Sequence, residues 1–498
     1  MNKPYEKLIK SYFAGDSLVK SDIDSFNHFI EVELQRIIDE NKEIEPTIIP
    51  HNIEEFKIRL DKIWIKKPEI IEADGSRKDI YPIEARLRKI SYSAPIYIEV
   101  SAHIDGIQRE SFTTQIGSIP IMLKSNFCHI AKLSRDQLIE KGEDPDDPGG
   151  YFIVNGTEKV LVSVEDLAPN TMLVEKASTG VSEFVGKLFS EQGSYKIPHT
   201  FEKMKDGIFY LSFTRVRRIP LVIILKALGM TKDEDIMKAI GIDDTLQDDV
   251  FVNLYEFVNM KDTSEALDHV AKKIGITQAK DIRIERMTEI LDRYLLPHIG
   301  TSSEDRMAKA MNLCKLLKKY ILVSKEVIAV DDKDHFMNKR IKLSGDLLAD
   351  LLRMNLNVLI GDMLYNFQRI VKRGKFPSIK VVIRDKLLTS RIYSSMATGN
   401  WVGERKGISQ RMERTNFMAT CSHLQRVTSP LSTSQENFEA RALHATHLGR
   451  LCPVETPEGT NIGLKKNLAL LTTITKETPE DDVLKKMKDL GMKKATYG

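Results

Sequence analysis

A group of cysteines and histidines near the C-terminal end has the residue types of a zinc site. Cys421 and His423 are separated by one residue, His444 and His447 by two, and Cys452 follows soon after. Thiolate and imidazole groups are the usual ligands of a tetrahedral zinc ion. The chain has no Cys-x-x-Cys pair, however, and the spacing of Cys421 and His423 is poorly suited to chelation. We therefore favour small buried cysteines and hydrogen-bonded histidines over a metal site.

Two acidic segments offer carboxylates that could bind a divalent cation. The run that starts at Asp144 begins like a calcium loop, but its twelfth position is Asn155, where such a loop needs a bidentate glutamate. Asp332 and Asp334 could offer two carboxylates to Mg²⁺. Acids directly before a predicted helix more often cap that helix, and we interpret Asp332 and Asp334 in this way.

Basic side chains are concentrated between residues 367 and 450. This window contains 15 Lys and Arg residues against 5 Asp and Glu residues, whereas the whole chain carries a formal charge of only +3. Arginine predominates after residue 390, and its guanidinium can bind phosphate in a bidentate manner. A solvated basic face and a nucleic-acid groove both explain this pattern, and the charge alone does not decide between them.

The composition excludes several classes of protein. The chain has 498 residues, of which 42% are hydrophobic and 29% charged, so it can form roughly three domains with sizeable cores. Four cysteines are too few for a disulfide-built scaffold and fit a reducing cytosol. No apolar run reaches the ~18 residues of a membrane span, and no secretory signal is present, so we expect a cytoplasmic protein. P-loop, HExxH and GxSxG motifs are absent.

The hydrophobic periodicity predicts a multi-domain protein of mixed α/β (α+β) class. Ser21 and Asp24 have the spacing of a capping box, and apolar residues then recur every three or four positions as far as Ile37, which predicts a helix of about five turns. From about residue 90, short apolar runs predict strands, with a hairpin at Asn155-Gly156. After residue 395 the chain is rich in Gly, Ser, Arg and His, as ordered functional loops are.

The segment 422–470 closely resembles the fork region of the second-largest subunit of multisubunit RNA polymerases. Its most specific part is the block Cys-Pro-x-Glu-Thr-Pro-Glu-Gly-x-Asn-x-Gly-Leu, from Cys452 to Leu464. Further segments are similar to the protrusion domain of that subunit: 24–30, 92–100, 116–128, 147–161, 331–340 and 397–401. The chain is similar above all to the N-terminal fragment, B″, of archaeal polymerases that divide this subunit into two polypeptides.

The resemblance implies an arrangement of domains and a set of partners. The expected domains are the first protrusion segment at 1–170, the lobe at 171–330, the second protrusion segment at 331–402, the fork at 403–472 and a C-terminal tail at 473–498. The tail is expected to contact the second fragment of the subunit, B′. The other expected partners are the fragments of the largest subunit, further polymerase subunits, the DNA template and nascent RNA; no membrane is expected.

The implied reaction is template-directed synthesis of RNA from nucleoside triphosphates by the assembled enzyme. The resemblance implies that the largest subunit holds the catalytic Mg²⁺, and that this chain has no catalytic residue, metal ligand or bound cofactor of its own. An alternative is a non-catalytic nucleic-acid-binding module that regulates a polymerase or assembles on it. The two hypotheses differ in stoichiometry, since a core subunit is present in every active enzyme molecule.

The resemblance also implies which residues lie near nucleic acid. The basic residues expected to neutralise phosphates are Arg405, Lys406, Arg411, Arg414, Arg426, Arg441 and Arg450. The residues expected near the RNA 3′ end and the incoming nucleotide are Glu455, Glu458 and Asn461. Relatives often carry two adjacent arginines after His-Leu, whereas this chain has Gln425-Arg426, so no contact is assigned to the first of those positions.

Overall fold

The structure, a computed structural model, describes residues 4–13, 18–49, 53–177, 182–193, 195–243, 246–475 and 480–492. The chain divides into two compact units, of which the first combines residues 1–166 with 341–498 and the second comprises residues 167–340. No helix within the described ranges has both the length and the apolar character that a bilayer crossing requires.

Strands and helices are both abundant, as the mixed class requires. The strands are β1 Glu43–Ile44, β2 Phe56–Ile65, β3 Glu69–Ile71, β4 Arg77–Asp79, β5 Ser93–Ile104, β6 Ile107–Pro120, β7 Phe152–Val154, β8 Thr157–Leu161, β9 Ser163–Leu167, β10 Met172–Lys176, β11 Phe184–Gln192, β12 Tyr195–Lys203, β13 Phe209–Phe213, β14 Val216–Pro220, β15 Lys339–Lys342, β16 Ser409–Arg411, β17 Arg426–Thr428 and β18 Lys465–Asn467. The helices are α1 Pro4–Phe13, α2 Lys20–His28, α3 Leu34–Asp39, α4 Pro82–Leu87, α5 Arg135–Glu140, α6 Leu221–Ala227, α7 Asp233–Ile240, α8 Asp248–Glu256, α9 Thr263–Ile274, α10 Lys280–Tyr294, α11 Arg306–Ser324, α12 Ser344–Val371, α13 Ile379–Val382, α14 Asp385–Thr398, α15 Phe417–Leu424, α16 Phe438–Arg441 and α17 Glu480–Asp489.

The first unit is built around an antiparallel sheet in the order β1-β2-β5-β6. The long helix α12 buries leucines along most of its length in the same core. Trp401, which follows α14, donates its indole N–H to the carbonyl of Leu347 at 2.8 Å. This bond ties the arginine-rich segment that begins after residue 390 to α12. The core therefore provides a rigid base for that region.

The predicted helix from Ser21 to Ile37 is confirmed, but its predicted cap is wrong. The structure has α2 and α3, joined by the π-helical turn Phe29–Glu33, and α2 begins at Lys20 with no side-chain cap. Ser21 cannot serve as the cap because the chain has already entered the helix at Lys20, and its Oγ accepts a hydrogen bond from the backbone of Ile474 at 3.3 Å. The apolar periodicity was therefore informative, whereas the cap motif was not.

The predicted hairpin at Asn155-Gly156 is confirmed. Strands β7 and β8 pair with Val154 opposite Thr157, so the two residues between them form the whole turn. Both have positive φ, 50° at Asn155 and 71° at Gly156, as a type I′ turn requires. The hairpin is joined to the arginine-rich segment after residue 390, because β8 pairs in turn with β16.

The second unit contains the antiparallel sheet β10-β11-β12-β13-β14, followed by helices α6 to α11. The apolar faces of these helices share one core with the sheet. In the segment between α11 and α12, the prediction that Asp332 and Asp334 cap a helix is wrong, because α12 starts only at Ser344. Asp332 accepts the backbone N–H of Asp334 at 2.8 Å, and Asp334 pairs with Lys339 at 3.3 Å.

Candidate nucleic-acid interface

A small sheet in the first unit positions the segment that carries the specific sequence block. Strand β17 pairs in parallel with β9 and antiparallel with β18. The chain where the block begins pairs with this sheet as well. Leu451 bridges to Leu468, and the N–H of Cys452 donates to the carbonyl of Asn467 at 2.9 Å. The loop 453–464 therefore leaves this sheet at Cys452 and returns to it in β18, so its two ends are fixed side by side.

Thr456 closes the base of the loop 453–464. Its hydroxyl donates to the carbonyl of Lys465 at 3.0 Å and accepts the N–H of Gly463 at 3.0 Å. Gly463 has a φ of 70° and lies against the backbone of Arg441, where a Cβ would clash. A glycine is therefore required at this position both for the backbone conformation and for the close approach.

Arg441 holds this loop against a neighbouring segment. Its Nη1 donates to the carbonyls of Thr460 at 2.7 Å and Ile462 at 3.0 Å, and its Nη2 donates to those of Thr433 at 3.1 Å and Gln435 at 3.3 Å. A planar guanidinium can make four such bonds, whereas a lysine ammonium has only three donors. The geometry thus gives Arg441 a positioning role within the chain.

The three residues expected near the RNA 3′ end occupy different surroundings. Glu455 accepts a hydrogen bond from the hydroxyl of Ser422, which lies on α15. Glu458 is exposed and precedes the short 3₁₀ turn Gly459–Asn461. Asn461 lines a groove beside the loop. Of these three residues, Asn461 lines the groove, whereas Glu455 and Glu458 lie on the loop in separate surroundings.

The groove has a volume of about 780 Å³ and a basic wall. Its lining includes the cations Arg405, Lys406 and Lys465, together with Glu404 and Asn461. Lys406 is exposed, whereas Arg405 is half-buried and forms an ion pair with Asp166 at 2.6 Å. Sequence reasoning missed Lys465, although the alternation of side chains along β18 could have separated it from its buried neighbour Lys466.

Arg414 belongs to a network of charged groups within the fold. It donates to Glu158 at 2.7 Å and to Asp147 at 2.8 Å, and its guanidinium lies 5.1 Å from the ring centre of Tyr151. Arg86 reaches the other side of Glu158 at 3.0 Å. Burial would raise the pKa of Glu158, but the hydrogen bonds and charges of Arg414 and Arg86 lower it below its ordinary value. Arg414 therefore ties β8 to the segment after β16.

The remaining predicted phosphate ligands lie outside the groove. Arg426 is half-buried on β17 and faces Glu413 at 3.4 Å, while Arg450 is exposed and donates to the carbonyl of Thr446 at 3.0 Å. Arg411 is exposed on β16 opposite Lys159. Burial, assisted by the positive charge of Arg411, lowers the pKa of Lys159. The structure thus brings Arg405, Lys406 and Asn461 together and disperses the other candidates.

Both ring nitrogens of His423 have hydrogen-bond partners within the protein. Its Nδ1 accepts the N–H of Glu413 at 3.1 Å, and its Nε2 lies 3.2 Å from the side-chain oxygen of Gln410. Burial, together with the nearby Arg426, lowers the pKa of His423 to about 4, so the ring is neutral near pH 7. Across the described part of the chain, no three His, Cys, Asp or Glu side chains are grouped so as to hold a metal ion.

Family models and known relatives that match this chain are all RNA polymerase subunits. The family model described as RNA polymerase beta subunit matches residues 17–390, and that of RNA polymerase Rpb2, domain 3, matches residues 410–474. The chain is 43% identical over 488 residues to DNA-directed RNA polymerase subunit Rpo2 of Saccharolobus shibatae, covering 98% of this chain and 43% of that relative. It thus spans less than half the length of this relative.

Relatives called subunit Rpo2N match over nearly their whole length. That of Methanocaldococcus jannaschii is 42% identical over 495 residues, with 98% of each chain covered. That of Halobacterium salinarum is 40% identical over 491 residues, which is 96% of this chain and 94% of the relative. Because one family model matches well over half of the chain and such relatives extend along nearly all of it, the chain belongs to the RNA polymerase beta subunit family.

Proposed function

We propose that this chain acts as one part of the second-largest subunit of a DNA-directed RNA polymerase of the archaeal type. The observation that carries the proposal is the match along 98% of this chain and 98% of a relative called Rpo2N. In this proposal the partners are the second fragment of the divided subunit, the fragments of the largest subunit, further polymerase subunits, the DNA template and nascent RNA.

The proposed domains follow the resemblance. Residues 1–170 and 331–402 form the protrusion, 171–330 the lobe and 403–472 the fork. The compact unit of residues 167–340 supports a lobe inserted between two protrusion segments. The tail 473–498 is proposed to contact the second fragment; in support, Val483 and Met487 on α17 and Leu490 directly after it are exposed at the spacing of one helix face.

The proposed contribution of this chain to catalysis is positional. Nucleotidyl transfer needs positioned Mg²⁺, which in this proposal the largest subunit holds. The groove cations Arg405, Lys406 and Lys465 neutralise backbone phosphates, with Arg411, Arg426 and Arg450 as further contacts. The loop 453–464, held by Arg441 and Thr456, presents Glu455, Glu458 and Asn461 to the RNA 3′ end and the incoming nucleotide.

Reconstitution from separately purified subunits tests the proposal. With template, primer, Mg²⁺ and nucleoside triphosphates, we expect extension by the complete set, and none by this chain alone or by the set that lacks it. Mass analysis of the active enzyme should show this chain in constant stoichiometry. Full elongation by the set without this chain would contradict the core-subunit proposal and favour a regulatory module that assembles on the polymerase.

A further inference from the structure

The second unit contains a cleft that the proposed function does not use. Its volume is about 1330 Å³, larger than the ~300–1,000 Å³ of pockets for small molecules. One wall is α10, and the others are the tip of the β13–β14 hairpin and the loop that follows α9. A cleft of this size and openness suits a segment of a polypeptide or polynucleotide chain.

The α10 wall combines cationic and apolar side chains on one helix face. Arg286, Ile290 and Arg293 are spaced by four and three residues, so they follow one another along the cleft. Ile274 at the end of α9 and Ile276 in the loop that follows are half-buried and add apolar surface. The wall can therefore contact an apolar side chain and an acidic group at the same time.

Arg293 is fixed by two tyrosines. Its Nη2 donates to the hydroxyl of Tyr195 at 2.6 Å, and its guanidinium lies 5.6 Å from the ring centre of Tyr195 and 5.7 Å from that of Tyr294. The arginine head thus loses little conformational freedom when it binds a carboxylate. Both rings are engaged by Arg293, which leaves less aromatic surface for stacking of nucleotide bases.

The cleft carries an excess of positive charge. Arg215 and Arg286 are exposed, and in the described part of the chain neither forms an ion pair or a hydrogen bond through its side chain. Of the two acids that line the cleft, Asp292 is paired with Arg306 at 2.6 Å, which leaves Glu289 as the other carboxylate. Glu289 lies four residues before Arg293 on α10 and interacts electrostatically with it, so the positive charges of Arg215 and Arg286 stay uncompensated within the described lining of the cleft.

We propose that this cleft binds an acidic segment of a partner protein that also carries apolar side chains. The unpaired Arg215 and Arg286 would bind carboxylates through charge-assisted hydrogen bonds, and the apolar surface at Ile290 would bury an aliphatic side chain. Glu289 and the apolar surface favour a peptide over nucleic acid, whose phosphates need an uninterrupted cationic surface. The proposal stands apart from the polymerase function and does not depend on it.

Fluorescence anisotropy with the full chain tests this proposal. The probes are a labelled peptide of Glu-Glu-Leu repeats, a peptide of Glu-Glu-Ser repeats of the same length, and labelled oligothymidylate. We expect the leucine-containing peptide to bind most tightly. The double variant Arg215→Glu, Arg286→Glu should weaken its binding by about tenfold or more, because each arginine contributes a charge-assisted contact.

The control is Arg217→Glu, since Arg217 is exposed on the same hairpin but does not line the cleft. Its affinity for the peptide should stay close to that of the wild type, and circular dichroism checks the fold of every variant. The proposal is overturned if the leucine and serine peptides bind equally, if neither binds, or if Arg217→Glu weakens binding as much as the double variant. Tighter binding of oligothymidylate, lost in the double variant, would assign the cleft to nucleic acid instead.

Discussion

Lys466 and Glu165 form an ion pair in the interior of the first unit, with Nζ of Lys466 3.0 Å from Oε2 of Glu165. The lysine side chain is 9% exposed and the glutamate side chain 3%. The pair joins β18 to β9, and these strands flank β17 in the small sheet that carries the loop 453–464. Lys465, the neighbour of Lys466 in sequence, lines the groove. Strand β18 therefore places one cation in the sheet's interior and the next one toward solvent.

Removal of one partner of this pair should destabilise the first unit. Lys466→Ala removes the ammonium 3.0 Å from the buried Glu165 carboxylate, and breaking a buried ion pair by removing one partner typically costs about 3–5 kcal/mol. The double variant Glu165→Leu, Lys466→Met should recover much of that loss, because it replaces the ion pair by apolar side chains. Urea denaturation followed by fluorescence gives the free energies of unfolding.

Arg135→Ala serves as the matched control for Lys466→Ala, since Arg135 pairs with Asp146 at the surface, where both side chains are more than half exposed. We expect little change in stability from it. A loss on Lys466→Ala no larger than that on Arg135→Ala would mean that the buried pair does not anchor the sheet.

His423 should make the first unit less stable as the pH is lowered from about 6.5 to about 4, while Asp22, whose pKa burial raises to about 6, acts in the opposite direction. The folded protein holds the pKa of His423 at about 4 through burial, whereas a histidine in the unfolded chain titrates near ~6.5. The unfolded state therefore binds more protons in this interval, so acidification favours it. His423→Gln removes this titration, so the stability of the wild type relative to the variant should fall as the pH is lowered from ~6.5 to ~4; a difference that does not change with pH would contradict the assignment.

The parts of the fold that sequence reasoning predicted correctly depend on local signals. The helix through Ile37 follows from residues three and four apart, and the Asn155-Gly156 turn follows from two adjacent residues that tolerate positive φ. The cap at Ser21 failed because α2 already begins at Lys20, and the Ser21 hydroxyl instead accepts the N–H of Ile474, which is 453 residues away in sequence. No window of neighbouring residues contains that information.

The candidate site was predictable only in part, for the same reason. The sequence block placed the loop 453–464, but a count of charges treats every arginine alike. Arg414 and Arg441 differ from Lys406 through partners that lie far away in the chain, namely Glu158 for Arg414 and the carbonyl of Thr460 for Arg441. The place of Lys465 in the groove lining follows from the register of β18, which only the structure gives.

Lys406 and Arg414 should affect nucleic-acid binding in different ways. If Lys406 contacts a phosphate, Lys406→Ala should reduce the slope of log binding constant against log salt concentration by about 0.9, independently of template sequence. Arg414→Ala should leave that slope nearly unchanged and instead lower the denaturation midpoint, because Arg414 pairs with Glu158 and Asp147. Binding of a primed template to the reconstituted enzyme across a salt series measures both slopes.

Equal slopes for Lys406→Ala and the wild type would remove Lys406 from the phosphate contacts. Lys67→Ala provides the control, since Lys67 is exposed just after β2, outside the groove. This variant should reproduce the wild-type slope, because a lysine without a phosphate contact releases no counterion.

The loop 453–464 should influence the rate of nucleotide addition more than the stability of the bound complex. Asn461 lines the groove, and Glu458 lies one residue before the turn that carries Asn461. If these side chains orient the reacting end, Asn461→Ala and Glu458→Gln should slow single-nucleotide addition or raise the apparent KM, by up to ~100-fold for a displacement of ~1 Å. Arg441→Lys should slow addition too, since a lysine cannot satisfy all four carbonyls that Arg441 holds.

Three readouts separate these roles in the reconstituted enzyme. The control Glu436→Gln changes an exposed acid before α16 and should leave addition kinetics at wild-type values. Limited proteolysis should cut the loop faster in Arg441→Lys than in Asn461→Ala, because only the former loosens the backbone. The salt slope should stay constant in all three loop variants, since none removes a phosphate contact. Normal addition kinetics in Asn461→Ala and Glu458→Gln would show that the loop does not reach the reacting end, whereas a changed salt slope in Arg441→Lys would return Arg441 to the phosphate contacts.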